Sequence, residues 1–137
     1  MTRIKYDANI LKYMSLFESI SGAKLKDCIV DNDLLFIVEE GQIGKAIGKK
    51  AANVRMLENV LKKKIRIIEF NPDISGFIKN LIYPINAKEI NQEDGVVTIA
   101  VDGIDAKSRL IGRDRKNINF VKSIVKRYFS VEEIKVK

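Results

Sequence analysis

Two short segments hold the residues whose types and spacing could do chemistry. They are Ile47-Gly48-Lys49-Lys50-Ala51-Ala52-Asn53-Val54 and Ile111-Gly112-Arg113-Asp114-Arg115-Lys116-Asn117-Ile118. Each sets a glycine between two helix-like apolar stretches and follows it with basic side chains. A glycine at such a point lets one backbone approach another closely. The start of the following helix offers free N–H groups and the positive end of a dipole. Lys49, Lys50, Arg113 and Arg115 add formal charge at the same spot, and Ile47 and Ile111 could floor a site for unstacked bases. The chemistry predicted is a grip on the phosphate backbone of a single strand. For one segment alone, a tight helix–helix turn with a solvated basic rim is the simpler reading. Two copies in matched register, in a basic chain, favour binding.

The copies lie 64 residues apart. At that offset Ile47 pairs with Ile111, Gly48 with Gly112, Lys49 with Arg113, Asn53 with Asn117 and Val54 with Ile118. The match runs on through Leu57 and Val121, Val60 and Ile124, and Leu61 and Val125, apolar at helical spacing in both. A repeat of this length means two copies of one unit.

The elements that must position these loops also repeat. Asp7 can cap a helix with Ile10, Met14, Phe17 and Ile20 on its apolar face, and Gly22 can end it. Strand-like runs Leu25 to Val30 and Leu34 to Val38 flank Asp31-Asn32-Asp33, a hairpin signal. A short helix Ile43 to Ile47 leads into Gly48, a helix from about Ala51 to Leu61 follows, and a strand Ile65 to Phe70 closes the unit. Asn71-Pro72-Asp73 is the predicted boundary. Beyond it the pattern predicts a helix Ile74 to Tyr83, then strands Ile85 to Ile90 and Val96 to Val101 around the turn Glu93-Asp94-Gly95. Helices Asp105 to Ile111 and Arg115 to Tyr128 follow, and the last strand carries Ile134 and Val136. Phe36 and Phe70 are expected in the core. Each half reads α-β-β-α-α-β, an α+β class. A half this small buries only a modest core, so residues 1–71 and 72–137 are expected to pack as one unit.

Composition narrows the function. The chain has 137 residues, a net charge of +7 and a pI near 9.5, with both halves basic. That balance favours a polyanionic partner through counterion release. There is no His, which removes every His-dependent nucleophile system. Cys28 is the one Cys, so no internal disulfide or Cys/His zinc site can form, and its run Cys28-Ile29-Val30 reads as a buried structural thiol. Gly44-Lys45-Ala46-Ile47-Gly48-Lys49-Lys50 fails as a P-loop: its glycine spacing is one short and no Ser or Thr follows the Lys. Adjacent acids occur as Glu39-Glu40 and Glu132-Glu133, which read as solvated edges. No enzyme, metal or cofactor is expected. Met1 to Tyr6 has no signal-type apolar core, and no run approaches the ~20 residues a membrane span needs, so a cytoplasmic protein is expected.

These residues resemble the KH family, whose signature is an apolar residue, Gly-x-x-Gly and an apolar helix. The element order looks like the type II KH fold. Two such units in tandem resemble the archaeal NusA-like transcription factors. The carriers are Glu39 to Lys50, the junction Pro72 to Pro84, and Leu110 to Ile118. The resemblance implies binding of single-stranded RNA in transcription elongation, termination or antitermination, and association with RNA polymerase or other transcription factors. It implies no membrane partner and no small-molecule substrate. The RNA-contacting set it suggests is Gly44, Lys45, Ile47, Gly48, Lys49, Lys50, Ala51, Asn53 and Arg55 in the first half. In the second it is Arg109, Ile111, Gly112, Arg113, Asp114, Arg115, Lys116 and Asn117. Both second glycines of the signature are replaced, by Ala51 and by Arg115. Ala51 is small, whereas Arg115 could obstruct a strand or grip it, and Asp114 would repel phosphate. The first loop is therefore the better expected clamp and the second a platform. The alternatives are a KH-fold protein-interaction scaffold, or a ribosome-associated or RNA-processing KH protein.

Overall fold

The computed structural model describes residues 7–137. Met1 to Tyr6, read above as lacking a leader core, lie outside the described residues. The chain is mixed α+β, and it separates into two compact units at the Asn71–Pro72 bond. No helix among the described residues is long and apolar enough to cross a membrane.

The first unit opens with α1 (Ala8–Ser21). The Asp7 carboxylate caps it by accepting from the Ile10 N–H at 2.8 Å, and Gly22, at φ 68°, ends it by donating to the Glu18 carbonyl. The buried Ser21 hydroxyl donates to the Phe17 carbonyl and accepts from the Ala23 N–H, which fixes the exit into β1. β1 (Leu25–Val30) pairs antiparallel with β2 (Leu34–Val38). The chain then crosses through α2 (Ile43–Ile47), a 3-10 turn (Lys49–Ala51) and α3 (Ala52–Leu61). It returns as β3 (Ile65–Glu69), parallel to β2 in register Leu34 to Ile65. A parallel pair demands such a crossover, and here the crossover carries the glycine loop. The core joins Phe17, Cys28, Leu34, Phe36, Val38, Ala46, Leu57 and Ile65, with the Phe17 and Phe36 rings stacked 4.4 Å apart. Cys28 is buried, as its apolar run predicts.

The second unit repeats the order: α4 (Ile74–Ile82), β4 (Ala87–Glu93), β5 (Val96–Val101), α5 (Ile104–Ile111), a 3-10 turn (Arg113–Arg115), α6 (Lys116–Tyr128) and β6 (Glu133–Val136). β4 and β5 are antiparallel, and β5 and β6 parallel. Asp73 caps α4 by accepting from the Gly76 N–H at 3.1 Å. Phe77, Leu81, Val97, Ile99, Leu110, Ile118, Val121, Val125 and Ile134 are buried. Phe77 meets Tyr128 edge-on, with ring centroids 5.5 Å apart.

Several boundaries differ from expectation. α4 ends at Ile82 because Tyr83, held extended ahead of Pro84, leaves the helical region. The Ile85 N–H then bonds back to Ile82, so β4 starts at Ala87 and not at Ile85. β4 runs on through Glu93, which leaves a two-residue turn, Asp94-Gly95, with φ 51° and 80°. Two positive φ values match the twist of the strands they join. Phe70 lies one residue past the end of β3, half-buried, with the Lys26 ammonium 4.2 Å from its ring centroid. It is not a core residue like Phe36. α3 and α6 each start one residue later than predicted, and the loops explain why.

Candidate nucleic-acid interface

In the first loop Gly48 has φ 79° and ψ 169°, a region essentially closed to L side chains. Lys50 (φ 54°, ψ 35°) and Ala51 (φ 60°, ψ 29°) follow in the left-handed helical region. The second loop has the same backbone: Gly112 at φ 77°, ψ 167°, Asp114 at 55°, 32° and Arg115 at 61°, 19°. Two consecutive left-handed residues reverse the chain between the helices, and they delay α3 and α6 by one residue. Each loop is closed by a backbone bond, Ala51 N–H to the Gly48 carbonyl at 3.1 Å and Arg115 N–H to the Gly112 carbonyl at 3.2 Å.

The repeated asparagines face inward. The Asn53 amide donates to the Lys45 carbonyl at 3.1 Å, and the Asn117 amide to the Leu110 carbonyl at 2.8 Å. Each ties the start of the second helix to the last carbonyls of the first, which otherwise lack partners. The glycines make this approach possible. A Cβ on Gly48 would fall 2.8 Å from the Asn53 amide nitrogen, and one on Gly112 would fall 2.7 Å from the Asn117 Cβ. Gly44, in contrast, sits in α2 with open space around it.

The basic residues divide. Lys49, Lys50, Arg113, Arg115 and Lys116 are exposed around the two loops, with Asp114 exposed among the last three. Ile47 and Ile111 are half-buried beneath them. Ala51 and Arg115 give no side-chain cap to α3 and α6, so first-turn N–H groups stay available to an anion. Lys45 runs its side chain over Gly22, where its charge complements the C-terminal end of α1. Arg55 turns its guanidinium back onto the Lys50 carbonyl. Arg109 lines an open groove of about 350 Å³ with Pro84, Ala87, Lys88, Asp102 and Ala106. The geometry thus gathers Gly48, Lys49, Lys50 and Ala51 at one loop and Gly112, Arg113, Asp114, Arg115 and Lys116 at the other. It sends Lys45 and Arg109 elsewhere, and it holds Arg55 on the main chain of the first loop and not on its outer rim.

Two further charged groups are shifted: Glu133, read in the sequence as a solvated edge, and Arg66, not singled out there. Glu133 receives a bond from the Lys122 ammonium at 3.0 Å, and this pair, then the Ile134 N–H and Arg115, hold its carboxyl below the usual range. Partial burial lowers the Arg66 guanidinium, and Asp33 offsets part of that shift. Both depend on how separate elements meet, Lys122 of α6 with Glu133 of β6 and Arg66 of β3 with Asp33, which no local motif reveals. Among the described residues no group of three His, Cys, Asp or Glu could hold a metal ion.

Residues 12–137 match the family described as KH domain. The chain is similar to the probable transcription termination protein NusA of Methanococcus vannielii, at 36% identity over 98% of this chain and 80% of that protein. The Methanocaldococcus jannaschii protein of the same description is 31% identical over 99% of this chain and 76% of its own. The crystal structure of APE1850 superposes with a TM-score of 0.77 at 32% identity, over 96% of this chain and 100% of that one. With residues 12–137 matched and relatives above 30% identity spanning nearly the whole chain, this chain belongs to the KH domain family and is a NusA-like member of it.

Proposed function

We infer that this chain is an RNA-binding transcription factor that clamps single-stranded RNA with its glycine loops and acts in transcription termination or antitermination. The observation that carries this reading is the repeated loop: one backbone geometry twice, each time with basic side chains beside uncapped helix starts. Phosphate binding there needs no catalytic group, and the chain is a binder, not an enzyme. The archaeal relatives named as termination proteins support the transcription role. We assign residues 1–71 and 72–137 to two tandem type II KH modules. The repeated element order and the parallel β2–β3 and β5–β6 pairs support this assignment. The work of such a factor is cytoplasmic, beside RNA polymerase and its other factors.

The two loops are unequal. Lys49, Lys50 and the small Ala51 make the first the stronger clamp. The exposed Asp114 repels phosphate at the second, which favours a platform role there.

The experiment is binding of a short single-stranded RNA pool across a salt series, for the native chain and for Lys49→Asp/Lys50→Asp. Each phosphate contact contributes about 0.7 to the slope of log affinity against log salt. A clear slope in the native chain that collapses in the variant is the expected result. Absence of binding in both would sink the RNA reading and redirect the search to protein partners.

A further inference from the structure

Arg55 lies in the second turn of α3, on the exposed side, where a basic residue near a nucleic-acid loop is ordinarily read as a phosphate ligand. Its Nη1 instead donates to the main-chain carbonyl of Lys50. Lys50 is the first of two consecutive residues in the left-handed region, which L side chains disfavour. Rotating the Lys50–Ala51 peptide away from this state would carry the carbonyl out of reach. The bond therefore selects the loop conformation. A guanidinium suits the task, because it is always charged and presents its donors in a rigid fork.

Both loops share the glycine, the left-handed pair, the backbone closure and the inward asparagine. The position matching Arg55 in α6 is Asn119, whose neutral amide sits on a much shorter stem. Where the first loop has a side chain aimed at its own carbonyl, Arg115 of the second adds its field to Glu133.

We propose that Arg55 is a positioning residue that locks the first loop into its binding conformation, so that this loop is pre-formed for a single-stranded backbone. A loop ordered before binding gives up less freedom when the strand arrives, and it binds more tightly without adding a charge contact. The affinity part of this inference rests on the RNA-clamp reading above, and the conformational part rests on loop geometry alone.

The test uses the full chain and Arg55→Ala, with two readouts. The first is amide hydrogen exchange without RNA. Exchange at Ala51 is expected to quicken roughly tenfold as the loop opens locally, with α3 amides beyond the loop and the thermal midpoint unchanged. Unaltered exchange at Ala51 overturns the proposal whether or not RNA binds. The second is affinity for a randomised single-stranded RNA of about ten nucleotides across a salt series. A fall of about fivefold with an unchanged salt slope is expected of a positioning residue, whereas a slope reduced by about 0.7 marks a lost phosphate contact and overturns the proposal. A native chain that binds no RNA would remove the clamp reading while the exchange result still decides the role of Arg55.

Discussion

The Asn117 side-chain amide donates to the Leu110 carbonyl at 2.8 Å, and the same asparagine stands so close to Gly112 that a Cβ there would meet its own Cβ at 2.7 Å. Gly112 is thus needed by the fold before any ligand arrives, and Gly48 is needed beside Asn53 for the same reason. Gly112→Ala or Gly48→Ala is expected to destabilise its unit by about 1–3 kcal/mol, from the glycine-only backbone region and the contact together. Gly44→Ala is the control. It lies inside α2 in open space, and alanine there should stabilise by about 0.5–1 kcal/mol. Urea unfolding of the three variants checks the contrast.

The left-handed residues at the signature's second glycine give the opposite expectation. Ala51 at φ 60° and Arg115 at φ 61° each hold a conformation that glycine adopts freely. Ala51→Gly and Arg115→Gly should raise stability by up to about 1 kcal/mol, the larger part of the relief surviving the added freedom of the unfolded chain. Thermal midpoints measure this, and a fall in either would mean that the side chain makes a contact outweighing its strain.

Glu133 supplies a pH dependence. Its carboxyl is held below the ordinary value of 4.5, first by the hydrogen bond from Lys122. A lowered folded-state pKa means the charged form is favoured in the fold. The stability it contributes is complete above the unfolded value and is lost as pH falls through the lowered one. Glu133→Gln should therefore lower stability slightly at neutral pH, with the difference from the native chain shrinking below about pH 4.5 and vanishing as pH falls through the lowered value, so that the acid limb of the variant is flatter. The pair is half-buried and still reached by solvent, so added salt should shrink the difference.

Packing separates two neighbours on α3. Leu57 is fully buried in the first core, whereas Met56 is 53% exposed. Leu57→Ala should cost about 2–5 kcal/mol through lost contacts and the cavity left behind. Met56→Ala should fall within about 0.5 kcal/mol of the native chain. Denaturant midpoints of both decide the matter.

Much of the architecture is written in short-range signals. Asp7 and Asp73 are capping residues by type, and both cap in the structure. The apolar runs at Leu34 and Val96 are strands from end to end. What local pattern could not supply is direction. Asn53 and Asn117 repeat because they hold the loops from inside, Lys45 and Arg109 are basic yet point away from the loop tips, and Arg55 turns back onto the loop's own main chain. A charge on a helix announces its presence in sequence, but its target is set by the neighbouring element. The misplaced start of β4 has the same origin: the turn after Ile82 is a backbone bond, and Ile85 looks like any strand residue.

The two glycine loops agree in backbone angles to within about ten degrees, yet the matched positions Lys50 and Asp114 carry opposite charge. Shape here is supplied by the main chain and by an asparagine turned inward. The outward side chains are released from that duty and can change sign without disturbing the fold. A repeated scaffold of this kind separates form from electrostatics, so its two copies can drift toward different ligands one residue at a time.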